Sequence, residues 1–296
     1  MGLGEYGYII LLSVLWGASF FFMKIALRDL TPFTIVFFRV SGSAILLSLL
    51  LLVQGKHPGF SRKDMIPFLV MGALNNMIPF SLIVWGQQFV DSSVASIINA
   101  SSPLFSLVLA HFLTDEERMT PTRIAGILLG ISGVALLIGV DAMNVTGPRL
   151  AGQMAMVLAS LCYAFAAIYG RRFRGRQPVF VASGVLTGAT VLTLPFMLLL
   201  EKPFSLHPGM DSTAAMTGLI LLSTSLAFVL YFKLLDRTGP TNLLLVTFLI
   251  PVSAVFLGVL ILRETLSWNA WAGMSLIFVG LTVMDGRLFR KKIPQR

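Results

Sequence analysis

From Gly7 to Met23 the chain runs for seventeen residues without a charge, most of them large and apolar, and the run ends at Lys24. Similar runs recur along the sequence, each bounded by charge, proline or glycine. They predict ten helices at about 7–27, 33–53, 66–89, 93–113, 122–140, 151–170, 179–200, 214–235, 240–262 and 268–285, each near the roughly 20 residues that a helix needs to cross a bilayer core. The connections between them are short and leave no room for a soluble domain. The pattern therefore predicts an all-α integral membrane fold of ten transmembrane helices.

Composition points the same way. The 296 residues are 56% hydrophobic and only 12% charged, with a mean hydropathy of +0.87, whereas soluble domains carry about 25% charged residues. Cys162 is the one cysteine, which excludes a disulfide within the chain. His57, His111 and His207 are too scattered for a zinc-type spacing. There is no phosphate loop of the GxxxxGK[ST] kind and no GxGxxG after a strand pattern, so no cofactor and no ATP-driven work by this chain are expected. The N-terminus lacks Lys or Arg before Lys24 and an A-x-A-like cleavage site, so it reads as the first span and not as a cleaved signal.

The net charge of +9 reads as a topology signal and not as a nucleic-acid footprint. If the N-terminus is inside, only Arg28, Arg149, Lys202 and Arg263 fall in outer loops, and Lys24 and Arg39 fall within spans. The other sixteen of the 22 Lys and Arg lie in inner loops and the C-terminal tail. This bias predicts cytoplasmic N and C termini. The expected location is integral to a membrane, multi-pass, most simply the bacterial inner (plasma) membrane.

The sequence repeats internally. Glu117-Arg-Met-Thr120 leads to Ala125-Gly126 and Gly133; Glu264-Thr-Leu-Ser267 leads to Ala272-Gly273 and Gly280 with the same spacings, 147 residues on. Pro103 and Pro251 stand 148 apart, and Trp16 and Lys24 match Tyr163 and Arg171 at an offset of 147. The units are 1–147 and 148–296, each of five spans. Because five is odd, the second unit enters the membrane inverted, an architecture of secondary transporters with a site near the midplane.

Trp16-Gly17, Phe20 and Lys24 in the first span, Arg39 in the second, and the twice-occurring proline followed by a glutamate motif (Pro103 with Glu117, Pro251 with Glu264) resemble the drug/metabolite transporter superfamily, EamA type. The resemblance covers the chain. It implies a ten-helix fold with a central cavity lined by the first, third, fourth, sixth, eighth and ninth helices, and small metabolites such as amino acids as cargo.

Polar side chains inside spans are costly and so usually face protein or water. Asn75 and Asn76 with Pro79, Asn99 and Ser102 with Pro103, and Thr247 with Pro251 each join polar groups to a proline that frees a backbone carbonyl. With Trp16, Phe20, Lys24 and Tyr163 they form the expected cavity lining. A single serine is more often a bond between neighbouring helices, and aromatic residues in spans are more often packing or interfacial anchors. Lys24 can equally snorkel to headgroups. Arg39 is expected to be structural and bonded to carbonyls or another partner. Gly126 and Gly273 are close-packing positions. Glu117 and Glu264 are expected to cap the helices that follow them.

The expected function is therefore transport, most simply export, of amino acids or similar small metabolites by alternating access. The expected partners are a small-molecule substrate and the bilayer, with no nucleic acid, the chain acting as a monomer or homodimer. Purines, sugar phosphates and nucleotide sugars are the alternative cargo, though multiply charged phosphates call for more deep cations than Lys24 and Arg39. An intramembrane enzyme would need a convergent acid, base or nucleophile set that these spans lack. No catalytic or metal-binding residue is assigned.

Overall fold

The computed structural model describes residues 3–56, 59–114, 119–144, 147–238 and 240–285. Glu117, Arg118 and the basic tail after Asp285 lie outside the described residues. Among the described residues all regular structure is helical. Eight helical stretches are long and apolar enough to cross a membrane, and two shorter apolar helices, Leu245–Leu260 and Trp268–Met284, accompany them.

The first half opens with α1 (Leu3–Ala26) and α2 (Pro32–Val53). α3 (Arg62–Gly72) passes through a π-helical segment, Ala73–Met77, into α4 (Ile78–Gly86). α5 (Ser92–Asn99) and α6 (Ser102–Leu113) follow, then α7 (Pro121–Asn144). The second half runs α8 (Pro148–Tyr169), α9 (Pro178–Leu200), α10 (Met210–Ile220), a second π segment at Leu221–Leu226, α11 (Ala227–Thr238), α12 (Pro240–Leu260) and α13 (Trp268–Asp285).

Local chemistry explains these boundaries. Prolines at the starts of α2, α8 and α9 supply a pre-set φ where the helix has no N–H partner to lose. Ser61 and Asp64 open α3, with the Ser61 N–H and hydroxyl both donating to Asp64 Oδ2 at 3.3 and 3.0 Å. Arg176, beyond α8, donates to the other oxygen of Asp64 at 2.6 Å. The break between α5 and α6 follows from Pro103. Its missing N–H would have bonded the carbonyl of Asn99, and the Ser102 hydroxyl takes that carbonyl instead at 2.6 Å.

Two helices are capped from a distance. Glu201, just past α9, accepts from the Phe33 and Thr34 N–H groups at 2.9 and 2.8 Å and from the Thr31 and Thr34 hydroxyls, closing the N-terminus of α2. Glu264, between α12 and α13, accepts from the N–H and hydroxyl of Ser92 at 2.8 and 2.7 Å and of Ser93 at 3.0 and 2.5 Å. This corrects the sequence expectation. Glu264 caps α5, not the helix that follows it, because the chain folds the α12–α13 connection over the N-terminus of α5, where free N–H groups attract a carboxylate.

Glycines set the closest helix pairs. A Cβ on Gly126 would meet Gly280 O and Met284 N at 2.6 Å, and one on Gly133 would meet Gly273 O at 2.7 Å. These contacts exchange under the 147-residue offset, Gly126 matching Gly273 and Gly133 matching Gly280. A second pair behaves alike. Gly72 abuts the backbone of Val185 and Ala189 on α9, and Gly42 on α2 abuts Ile220. The π segments begin at residues 73 and 221, at corresponding places in the two halves. The ranges 66–89 and 214–235, read from sequence as continuous helices, are thus each interrupted by one wider turn.

Candidate functional site

Arg39 projects from α2 and is 4% exposed. Its Nε donates to the Thr224 hydroxyl at 3.0 Å, its Nη1 to Met23 Sδ at 3.4 Å, and its guanidinium lies 3.8 Å from the centre of the Phe80 ring. One cation therefore gathers α1, α2, α4 and the second π segment. Among the described residues it forms no ion pair, and its compensation is one hydroxyl, a thioether and an aromatic face. The partner expected from the sequence is thus a side chain of the other half, not a helix carbonyl.

Both π segments carry buried polar groups. Asn76 is fully buried and stands four residues before Phe80, on the same helix face. The Asn75 amide donates to Asn76 Oδ1 at 3.3 Å, leaving Asn76 Nδ2 buried without a partner. In the second π segment Thr224 is flanked by Ser223 and Ser225, whose buried hydroxyls also lack partners. Ser160 on α8 adds another. Buried polar groups in folded proteins are nearly all hydrogen-bonded, so this concentration needs a cause. Both π turns fall at these groups, and turns of this kind gather at functional sites.

Lys24 ends α1. Its Nζ donates to the carbonyls of Gln87 and Val90 at 2.7 and 2.8 Å, so it latches α1 onto the end of α4 and does not snorkel. Gln87, fully buried, returns a bond from Nε2 to Phe20 O at 3.0 Å and keeps Oε1 unpartnered. Phe20 is buried beside it.

The remaining candidates divide. Trp16 packs against Tyr231 of α11 with ring centres 5.6 Å apart. Tyr163, its counterpart at the 147 offset, packs against a different and larger apolar cluster. Asn99, with a buried unpartnered Oδ1, sits at the α5–α6 break with Ser102 and Pro103, and no hydrogen bond joins this group to Asn75 or Asn76 among the described residues. Thr247 is half-buried and Pro251 buried on α12, next to the point where Ser253 donates to Ser13 O on α1 at 2.8 Å. Pro79 is buried at the start of α4. Gly126 and Gly273 lie in the α7–α13 contact described above.

The sequence reading passed over Thr224, Ser223, Ser225 and Gln87. Ser223-Thr-Ser225 is a polar triplet inside an apolar run, which was a legible signal. Gln87 sits at a span end, where an amide usually meets water.

Outside the spans, two carboxylates differ in charge environment. Asp29 accepts from the Ser212 hydroxyl at 2.7 Å and the Gly209 N–H at 2.9 Å, which hold its pKa below the usual value. Asp91, at the entry to α5, is pushed up, first by burial and then by Glu264 beside it.

Comparison with known proteins decides the family. The model of the EamA-like transporter family matches residues 4–139 and again 150–284. The chain belongs to the EamA-like transporter family. It is 25% identical over 286 residues to the uncharacterized transporter YoaV of Bacillus subtilis (strain 168), covering 96% of this chain and 98% of that one. It is 26% identical over 286 residues to the uncharacterized inner membrane transporter YedA of Escherichia coli (strain K12), covering 94% and 90%. A solved crystal structure shares the fold with a TM-score of 0.69 over 97% of this chain and 98% of that one, at 19% identity. The family member described here is thus an integral membrane protein of a transporter family.

Proposed function

We propose that the protein is a secondary transporter that exports amino acids or similar small metabolites by alternating access. In this reading ten helices cross the membrane with both termini in the cytoplasm, and the halves 1–147 and 148–296 are inverted copies that tilt against each other. The observation that carries the reading is the buried polar layer at the two π segments. Asn76 Nδ2, Ser223 Oγ and Ser225 Oγ lack partners there, at corresponding places in both halves. Unpartnered groups of this kind cost free energy in a closed interior and are satisfied when a cargo or water enters. Amides, hydroxyls and the Trp16–Tyr231 pair suit a small polar metabolite with an apolar or aromatic part. Multiply charged phosphates fit less well, since Lys24 and Arg39 already bond carbonyls, Thr224 and Met23.

The test is flux from proteoliposomes preloaded with amino acids, purines and organic acids, followed by mass spectrometry. Selective release of amino acids, lost in Asn76→Ala, is the expected result. Release of purines or phosphorylated sugars in their place would overturn the cargo assignment, and no release under any ion gradient would overturn transport itself.

A further inference from the structure

Where α1, the α4–α5 connection and the α12–α13 connection meet, an open cleft of about 370 Å³ is lined by Lys24, Arg28, Asp91, Arg263 and Glu264 together with Leu262 and Thr265. That size lies within the range of small-molecule sites, about 300–1,000 Å³. Two of its charges are already committed. Both oxygens of Glu264 hold the start of α5, and Lys24 holds the carbonyls of Gln87 and Val90.

The other charges are not. Asp91 is half-buried, yet among the described residues its carboxylate makes no hydrogen bond and no ion pair within 4 Å. Arg263 has a left-handed backbone with φ 58°, a conformation that side chains other than glycine and asparagine rarely adopt. The following residue secures it, as the Glu264 N–H donates to Gly258 O at 3.0 Å. Its exposed guanidinium makes no hydrogen bond among the described residues. Among the described residues Arg28 makes a loose ion pair of 3.9 Å with exposed Asp211 and acts electrostatically on the neighbouring Asp29. A carboxylate half out of water without a partner is unfavourable, and backbone strain of this kind gathers at ligand sites.

We propose that this cleft is a docking subsite for a zwitterion of the α-amino acid type, its ammonium on Asp91 and its carboxylate on Arg263 and Arg28. The proposal rests on the transporter reading for its role, as the mouth at which cargo docks before or after passing the Lys24 latch. A simple anion pairs with Arg28 and Arg263 but leaves the Asp91 carboxylate uncompensated. A simple cation meets Lys24, Arg28 and Arg263. Only a molecule carrying both charges satisfies both sides, and Arg263 offers a planar fork for a carboxylate. The charged groups acting on Asp91 are Lys24, Glu264 and Arg149, and burial with Glu264 already disfavours its anion. An ammonium seated there supplies the missing compensation.

The test uses the purified full-length protein and two probe sets: L-alanine with propionate and ethylamine, and L-phenylalanine with 3-phenylpropionate and 2-phenylethylamine. Binding is measured by calorimetry, with thermal melts to check folding, and counterflow of the same amino acids is measured in proteoliposomes. At least one amino acid should bind about tenfold or more tightly than its acid and its amine, the scale of one charge-assisted hydrogen bond. Asp91→Asn should abolish the preference over the acid, Arg263→Gln the preference over the amine, and Asp91→Glu should retain both. No zwitterion preference in the unaltered protein, or a preference that survives Asp91→Asn, would overturn the subsite. If the preference behaves as expected but counterflow is absent, the transport reading fails and the subsite stands. If counterflow is present and Asp91→Asn changes no preference, the subsite fails and transport stands.

Discussion

The α7–α13 seam and the π-segment layer are built from the same repeat and differ in nearly every physical respect. In the seam, Gly126, Gly133, Gly273 and Gly280 bring two backbones into direct contact. In the layer, two widened turns carry Asn75 and Asn76 in one half and Ser223, Thr224 and Ser225 in the other, Thr224 bonds Arg39, and several polar atoms there go unpartnered. The seam has one tight arrangement, and added volume has nowhere to go. The layer has spare hydrogen-bonding capacity, so more than one arrangement can satisfy it. The proposed alternating-access mechanism would use both: a fixed contact about which halves tilt, and an interior whose bonds can be exchanged.

The strongest way to break this contrast is to fill the seam. Gly126→Leu or Gly280→Leu should lower the thermal melting temperature sharply and reduce folded yield, with a cost of about 1–3 kcal/mol or more from overpacking. A side chain there meets backbone, which cannot rotate away. Wild-type melting of either variant would show that the seam is looser than its geometry.

Glu264→Gln should have the next largest effect. It keeps the shape but removes the charge that accepts from Ser92 and Ser93, so α5 loses part of its cap, at about 1 kcal/mol. Melting in detergent should fall by a few degrees, and hydrogen exchange at Ser92 and Ser93 should quicken. Unchanged exchange would remove Glu264 from its assigned role.

Substitutions in the layer sharpen the comparison because stability and flux should part company. Ser223→Ala and Ser225→Ala delete hydroxyls that lack partners, so melting should hold or rise slightly, since an unsatisfied buried group is itself a cost. Flux in proteoliposomes should fall. Equal loss of melting temperature and flux would mean that the hydroxyls are structural.

Asp91→Asn carries the smallest expected stability change. Its folded pKa is raised, so the folded protein holds its proton more tightly than the unfolded chain does. Stability from this group therefore increases as pH falls through the folded pKa, and is absent at neutral pH. The amide variant should melt at the same temperature or slightly higher at pH 7 and should flatten the acid side of the profile. A clear loss of stability at pH 7 would show that the carboxylate is already compensated.

Much of this architecture was legible in the chain. The apolar runs between charge, proline and glycine marked the helices, and the 147-residue offset marked Gly126 with Gly273 before any contact was visible. The range 93–113 read as one helix, and Pro103 marked only the freed carbonyl at which α5 and α6 part; Pro251, with the same reading, lies inside an unbroken α12. The π segments were not legible, since one added residue per turn leaves an apolar run unchanged in composition. The partner of Arg39 was hidden for a different reason. Thr224 lies 185 residues away, and only the packing of α2 against the second π segment brings them together. Glu264 shows the same limit: its sequence position suggested the next helix, while the fold gave it α5.

The most direct test is whether the π-segment layer meets water from both sides in turn. With Cys162→Ser as the background, Asn76→Cys and Ser223→Cys would be treated with a membrane-impermeant thiol reagent added to one side of sealed vesicles at a time. An alternating-access carrier predicts labelling of both positions from each side, with the balance between sides shifting when transported amino acid is present on one of them. Labelling from neither side, with or without amino acid, would contradict the claim that this buried layer is the transport path.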